Sequence, residues 1–170
     1  MSLDKPTLKK GVSASFRFAI IASCYNQELV NQLVESVKKT LYFSGVADAH
    51  IHQWQVPGAN EIPYLAARVA QNELVDVIIC LGLVIAGDTQ HHQHIAQSTS
   101  QSLQHIGFKT GVPLINGIIT VNNIQEAQKR CGGKINRGLE FAEAAIVMAQ
   151  HHKHFSSQVL SADKKAYTNG

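Results

Sequence analysis

Asp76-Val77-Ile78-Ile79-Cys80-Leu81-Gly82-Leu83-Val84-Ile85 is almost wholly apolar, and Gly87-Asp88-Thr89 breaks it a few residues later. A run of that length and character suits a central parallel strand, because a strand covered on both faces needs no alternation with polar residues. A polar helix is predicted to follow, over about residues 91–105. The rest of the chain repeats this unit on either side. Residues 16–23 read as a buried strand. Residues 27–42 carry Leu29, Val30, Leu33, Val34, Val37 and Leu41 at helical spacing, with Gly45 as the stop. Residues 48–56 alternate around Ile51, Trp54 and Val56 and predict a second strand. Pro57-Gly58-Ala59-Asn60 is a turn, and Glu61-Ile62-Pro63 opens a helix, with Pro63 in the first turn where its missing N–H costs nothing. Downstream, residues 113–120 form another apolar strand. Asn122 or Asn123 caps a short helix ending near Arg130, and Cys131-Gly132-Gly133 is a loop. Residues 137–150 carry Leu139, Phe141, Ala142, Ala145, Ile146 and Met148 as the last helix.

Strand then helix, four times over, predicts an α/β fold: a three-layer αβα sandwich around a central four-stranded parallel sheet. Its crossovers are expected to be right-handed, with ligands at the carboxyl ends of the strands. The expected organisation is an N-terminal arm over 1–15, one domain over 16–150 and a polar tail over 151–170.

The 170 residues fit one domain, and 45% hydrophobic residues suffice for a core. Only 16% are charged, which is low for a small surface that stays wholly wet and favours burial in an oligomer. The net charge is +3 without a basic stripe, so nucleic acid is not an expected partner. Cys24, Cys80 and Cys131 are odd in number and widely spaced, as for reduced thiols in a cytoplasm. No apolar run reaches the roughly 20 residues a membrane helix needs, and the polar N-terminus is no secretory signal.

Three strand-to-helix junctions can carry chemistry: Ser23-Cys24-Tyr25-Asn26, Pro57-Gly58-Ala59-Asn60-Glu61 and Gly87-Asp88-Thr89-Gln90-His91. In this fold all three open at one edge of the sheet. The third offers backbone N–H groups at a helix start to a phosphate, with the Thr89 hydroxyl as a further donor. Asp88 is ill-placed beside an anion unless it caps its own helix, and the whole junction also reads as an ordinary cap. His91, in the first helical turn, can shuttle protons near neutral pH or simply lie on the surface. His91 and His94 share a helix face while His92 does not, and no further ligands accompany them, so a metal site is not expected. Tyr25 can stack on a planar heterocycle or pack against its helix. Glu61 can complement a helix dipole or accept from ligand hydroxyls. Arg130 and Arg137 can be surface charge or can clamp an anion.

Taken together the motifs resemble the lumazine synthase family. Val56-Pro57-Gly58-Ala59-Asn60-Glu61-Ile62-Pro63 is similar to its V-P-G-[AS]-x-E-I-P. Gly82-Leu83-Val84-Ile85-Ala86-Gly87-Asp88-Thr89-Gln90-His91 is similar to G-x-V-I-x-G-x-T-x-H. Gly117-Ile118-Ile119-Thr120 resembles G-[VI]-[LIV]-T, Gln125-Glu126-Ala127 with Arg130 resembles E-Q-A-x-x-R, and Asn136-Arg137-Gly138 with Glu140 resembles N-K-G-x-E. Order and spacing agree over roughly 16–150.

The resemblance implies a flavodoxin-like sandwich and a reaction. 5-Amino-6-(D-ribitylamino)uracil condenses with 3,4-dihydroxy-2-butanone 4-phosphate to 6,7-dimethyl-8-ribityllumazine, the penultimate step of riboflavin biosynthesis, without metal or organic cofactor. It implies that Tyr25 stacks on the pyrimidine, and that Ala59, Asn60 and Glu61 hold the pyrimidine and ribityl chain. Leu83, Val84 and Ile85 line the ring pocket with backbone groups; Asn116 and Arg137 belong to the same pocket. Gly87, Asp88 and Thr89 cradle the phosphate, Arg130 of a neighbouring subunit clamps it, and His91 transfers protons. It also implies a cytoplasmic homopentamer with sites between subunits, and riboflavin synthase as a pathway partner. Three positions depart from the common pattern: Ala86 for Arg, Asn116 for Phe and Arg137 for Lys. The loop from Arg130 to Asn136 is one residue shorter than the form that accompanies sixty-subunit shells, so a pentamer or a pair of pentamers is expected. Two other functions fit such a fold: a non-catalytic flavin or lumazine binder, and a flavodoxin-like electron carrier. The phosphate junction and Arg130 speak against the first. The second needs a Ser/Thr-rich loop after the first strand, which Ser23-Cys24-Tyr25-Asn26 is not.

Overall fold

The computed structural model describes residues 15–72 and 75–168, with 158–168 as helix backbone. The expected N-terminal arm therefore lies, apart from Ser15, outside the described residues. Four strands alternate with helices: β1 Phe18–Ser23, α1 Gln27–Phe43, β2 Ile51–Val56, α2 Ile62–Asn72, β3 Val77–Ile85, α3 His91–Thr110, β4 Leu114–Val121, α4 Ile124–Cys131 and α5 Arg137–Thr168. All strand pairs are parallel, in the order β2-β1-β3-β4. The predicted α/β sandwich is the observed one.

β3 is the pivot of this sheet. Val77 through Leu83 are buried; the strand pairs with β1 from Val77 to Leu81 and with β4 from Ile78 to Ile85. Alternate side chains supply two separate cores. Val77, Ile79, Leu81 and Leu83 pack with α1 and α5. Ile78 and Cys80 pack with Ala66 and Val69 of α2 and Leu103 of α3. Each fully buried Val, Leu or Ile contributes about 1.5–3 kcal/mol, so the apolar run of β3 stabilises both layers at once.

The element ends differ from the pattern-based expectation in ways the contacts explain. β1 begins at Phe18 rather than 16, because Arg17 is clipped to Asp76: its N–H donates to Asp76 Oδ2 at 2.7 Å, and its carbonyl accepts from the Asp76 N–H at 2.8 Å. Asp48–His50 and Ala59–Glu61 are single 3₁₀ turns ahead of β2 and α2. α3 continues to Thr110, where Gly111 at φ 76° ends it in the left-handed conformation. Asn123 caps α4, its Oδ1 accepting from the Glu126 N–H at 2.9 Å. Patterning predicts an end to the last helix near residue 150, but α5 runs to Thr168. No Gly or Pro interrupts residues 151–168, and Lys153 reaches back, donating to Ser15 Oγ at 2.9 Å and lying over the Phe16 ring.

Close approach between layers depends on glycine. A Cβ on Gly138 would lie 2.7 Å from Ser36 Cβ, so α5 starts pressed onto α1. Asn136 fixes that contact by accepting from Ser36 Oγ at 2.6 Å. A Cβ on Gly117 would meet the Cys80 carbonyl oxygen at 2.8 Å and Leu81 Cδ2 at 2.7 Å. The backbone oxygen cannot step aside without disturbing the β3–β4 ladder. Gly117→Ala is therefore expected to cost about 2 kcal/mol, within the range for overpacked cores. Urea unfolding at matched protein concentration measures this, and an unchanged midpoint would contradict the β3–β4 packing described here.

Candidate active site

Strand order 2-1-3-4 means that the chain reverses its direction of winding between β1 and β3. The connection after β1 turns to α1 on one face, and the connection after β3 turns to α3 on the other. A crevice opens between these diverging loops, the usual ligand position in open α/β sheets.

Backbone hydrogen bonds draw the first two junctions together. The Cys24 N–H donates to the carbonyls of Val56 at 2.9 Å and Pro57 at 3.2 Å. Gly58 then lies against the Tyr25 ring: a Cβ there would be 3.3 Å from Tyr25 Cδ2 and 2.9 Å from Glu61 Oε2. Gly58 thus leaves room for an aromatic edge and a carboxylate side by side. Ala59 is buried and lies with Ser23 and Ile118 around Gly82. Ser23 Oγ is buried there without a hydrogen-bond partner among the described residues. Asn60 and Glu61 are exposed.

The third junction rises from the end of β3. Leu83 is buried, Val84 and Ile85 are half-buried, and Gly87, Asp88, Thr89 and His91 are exposed. The Ala86 N–H donates to the Val121 carbonyl at 2.8 Å, tying the turn to the end of β4. Thr89 Oγ1 accepts from the His91 N–H at 3.4 Å, and its carbonyl meets His92 Nδ1 at 3.0 Å. The Thr89 hydroxyl keeps its proton free to donate. Asp88 makes no capping bond, and Gln90 at the N-cap position of α3 makes none with its side chain.

The expected site residues fall into two groups. Tyr25, Ala59, Asn60, Glu61, Leu83, Val84, Ile85, Gly87, Asp88, Thr89 and His91 share the carboxyl rim of the sheet. Asn116, Arg130 and Arg137 do not join them. Asn116 pairs with Cys80 in mid-sheet, on the open edge of β4, with its Oδ1 accepting from the Ile118 N–H at 3.1 Å. At about 3.3 Å per residue, that is roughly 16 Å below the level of Ile85. Arg130 lies in the α1/α5 layer, on the opposite face of the sheet from α3. Its Nη1 donates to the Glu126 carbonyl at 3.1 Å and lies 3.7 Å from the Glu126 carboxylate. Arg137 pairs with Glu140 at 2.5 Å and stands over the Phe141 ring. Both guanidiniums are partly exposed.

Sequence reasoning passed over Asn26 and Gly58. Both stand in junctions that it singled out, but packing rather than chemistry makes them matter. Among the described residues no three His, Cys, Asp or Glu side chains gather as a metal-binding set, and no helix is long and apolar enough to cross a membrane.

Comparison with known proteins agrees with the motifs. Residues 15–153 match the family described as 6,7-dimethyl-8-ribityllumazine synthase. The chain is similar to the 6,7-dimethyl-8-ribityllumazine synthase of Stenotrophomonas maltophilia (strain K279a), at 40% identity over 135 residues, 79% of this chain and 87% of the relative. It is also similar to that of Xanthomonas oryzae pv. oryzae (strain PXO99A), at 42% over 131 residues, 76% of this chain and 85% of the relative.

The thiols offer a check on the placement of this rim. Burial pushes Cys131 up to about 11, with the Arg130 charge drawing it partly back, and pushes Cys80 above the usual thiol range. Both therefore stay protonated at pH 8, and the thiolate is the reactive form. Cys24 is the partly exposed cysteine. A thiol reagent at pH 8 should label Cys24 first and leave the other two until the chain unfolds; equal labelling of all three in the native protein would contradict the burial.

Proposed function

From the premise that this chain belongs to the 6,7-dimethyl-8-ribityllumazine synthase family, we propose how its residues divide the work of the family reaction. The activity is a transferase step of riboflavin biosynthesis that forms 6,7-dimethyl-8-ribityllumazine. The 5-amino group of 5-amino-6-(D-ribitylamino)uracil attacks the ketone of 3,4-dihydroxy-2-butanone 4-phosphate. Loss of water gives an imine, phosphate leaves, and the ribityl-bearing nitrogen closes the ring with loss of a second water.

Tyr25 stacks on the pyrimidine, with Gly58 and Glu61 beside it. Glu61, Asn60 and the Ala59 backbone hold the ribityl hydroxyls, and the strand end from Leu83 to Ile85 supplies backbone partners to the ring. The N–H groups of Gly87, Asp88 and Thr89, with the Thr89 hydroxyl, receive the phosphate at the start of α3. His91 stands one turn away and moves protons between the amine, the carbinol oxygen and the leaving group. Holding two reactants in one crevice supplies much of the acceleration.

The single observation that carries this reading is the convergence of the three junctions on one rim, with an aromatic at one end and open N–H groups at the other. Among the described residues that rim carries no Lys or Arg for the phosphate, since Arg130 lies on α4 in the α1/α5 layer. We assign Arg130, Arg137 and Asn116 to the site of a neighbouring copy. Two features of the isolated chain support this. α3 buries only Thr99 and Leu103 in twenty residues, and β2 and β4 are edge strands without a further partner among the described residues. The assembly is a homopentamer or a pair of pentamers, acting in the cytoplasm ahead of riboflavin synthase.

Product formation followed by its absorbance and fluorescence, against a control without protein, tests the assignment. His91→Ala should lower kcat by roughly 10²-fold, the low end for general acid–base help, and leave turnover above the control. Arg130→Ala should raise the KM of the phosphorylated ketone at least tenfold, as expected for loss of a charged hydrogen bond. An Arg130→Ala protein with wild-type KM would remove the clamp from the reading. Light scattering should give a mass of five or ten subunits. A mass near sixty subunits, or a monomer that turns over substrate, would overturn the shared site.

A further inference from the structure

Asn26 sits where the winding of the sheet reverses. It has φ 55° and ψ 41°, and Asn136 is the other non-glycine residue with positive φ among the described residues. The conformation of Asn136 is explained by the α1–α5 contact; that of Asn26 goes with a hydrogen bond across the crevice. Asn26 occupies the N-cap position of α1 but makes no side-chain capping bond. Its Nδ2 instead donates to the Leu83 carbonyl at 3.1 Å, across 57 positions of sequence.

The acceptor explains the choice. Pairing of β1 with β3 ends at Ala22 and Leu81. Beyond that level the β1 side of β3 has no strand neighbour, and the Asn26 amide takes the place of the next strand residue at Leu83. This bond bridges the two loops that diverge to form the crevice.

Tyr25 lies directly between two such anchors. On one side the Cys24 N–H is held by Val56 and Pro57; on the other Asn26 is held by Leu83. The Tyr25 ring itself is 72% exposed, so burial does not fix it. An exposed aromatic ring can serve as a stacking platform only if its backbone is held, because otherwise ordering it costs conformational entropy on binding. We propose that Asn26 is a positioning residue: its bond to Leu83 fixes Tyr25 across the crevice and thereby sets affinity for the planar heterocyclic substrate, without touching the phosphate end. The proposal rests on the reading that the pyrimidine lies against Tyr25.

Two substitutions separate the side chain from the backbone. Glycine adopts positive φ freely, so Asn26→Gly keeps the turn and removes the bond. Asn26→Asp keeps shape and turn but sets a carboxylate against a carbonyl. Steady-state kinetics would be measured with each substrate varied in turn, alongside Tyr25→Ala, the Asn26→Gly/Tyr25→Ala double variant and thermal melting of each protein. In both Asn26 variants the KM for the ribitylaminouracil should rise about three- to tenfold, the span of one hydrogen bond. The KM for the phosphorylated ketone and kcat should stay within about twofold, and in the double variant the Asn26 effect should vanish, as coupled neighbours require. If Tyr25→Ala weakens the heterocycle while both Asn26 variants bind it like wild type, Asn26 has no positioning role. If both KM values rise together, or the Asn26 effect persists without Tyr25, the role is general to the fold and the proposal fails. If Tyr25→Ala leaves the heterocycle's KM unchanged, the stacking assignment falls and the proposal falls with it.

Discussion

Everything in this molecule follows from burying β3 on both faces. A strand with Val77 through Leu83 out of solvent must be covered on each side, so helices are required in two layers. Its neighbours must be parallel and reached by crossovers. Right-handed crossovers then put α1 on one face and α2 with α3 on the other. The reversal between β1 and β3 is a geometric consequence, and so is the crevice at their carboxyl ends. The site is where it is because the core is what it is.

That crevice is polarised along its length. At the β1 end it offers an aromatic ring, a carboxylate and a small buried residue: Tyr25, Glu61 and Ala59. At the β3 end it offers backbone N–H groups and a hydroxyl at the start of a twenty-residue helix. Such a groove suits a planar, hydroxyl-bearing molecule at one end and an anion at the other. It does not neutralise the anion. Helix-end partial charges are worth about 0.3–1 kcal/mol at an exposed site, well below what a bidentate guanidinium supplies. A rim that bears Asp88 and, among the described residues, no Lys or Arg would leave a bound phosphate short of a cation.

The layers and the rim were legible in the sequence because periodicity and composition encode burial. The unbroken apolar run of β3 announced burial on two faces, and the Leu/Val spacing over residues 27–42 announced the inner face of α1. Element ends were less legible, for they depend on contacts distant in sequence. The start of β1 is set by Asp76, and the continuation of α5 past residue 150 is accompanied by Lys153 reaching Ser15 and Phe16. The roles of single residues were least legible. Nothing in the letters Cys-Tyr-Asn says that the asparagine forgoes its helix cap to bond Leu83. Nor does Pro-Gly-Ala say that Gly58 leaves space for two side chains at once.

Asn116, Arg130 and Arg137 make the same point at a larger scale. Motif order sets them in one reaction with His91, yet the fold holds them on an open strand edge and on the far face of the sheet. No plausible loop movement carries Arg130 around the sheet, since Ala127 and Cys131 on either side of it are fully buried against α1 and α5. A rigid domain that holds these residues on opposite faces cannot bring them together within one copy, which is the ground for the proposal that a neighbouring copy supplies Arg130. The low charged fraction, the sparsely buried α3 and the two sheet edges left unpaired among the described residues are the features on which that proposal draws. On that proposal, surface that looks unfinished on one chain becomes interior when copies associate.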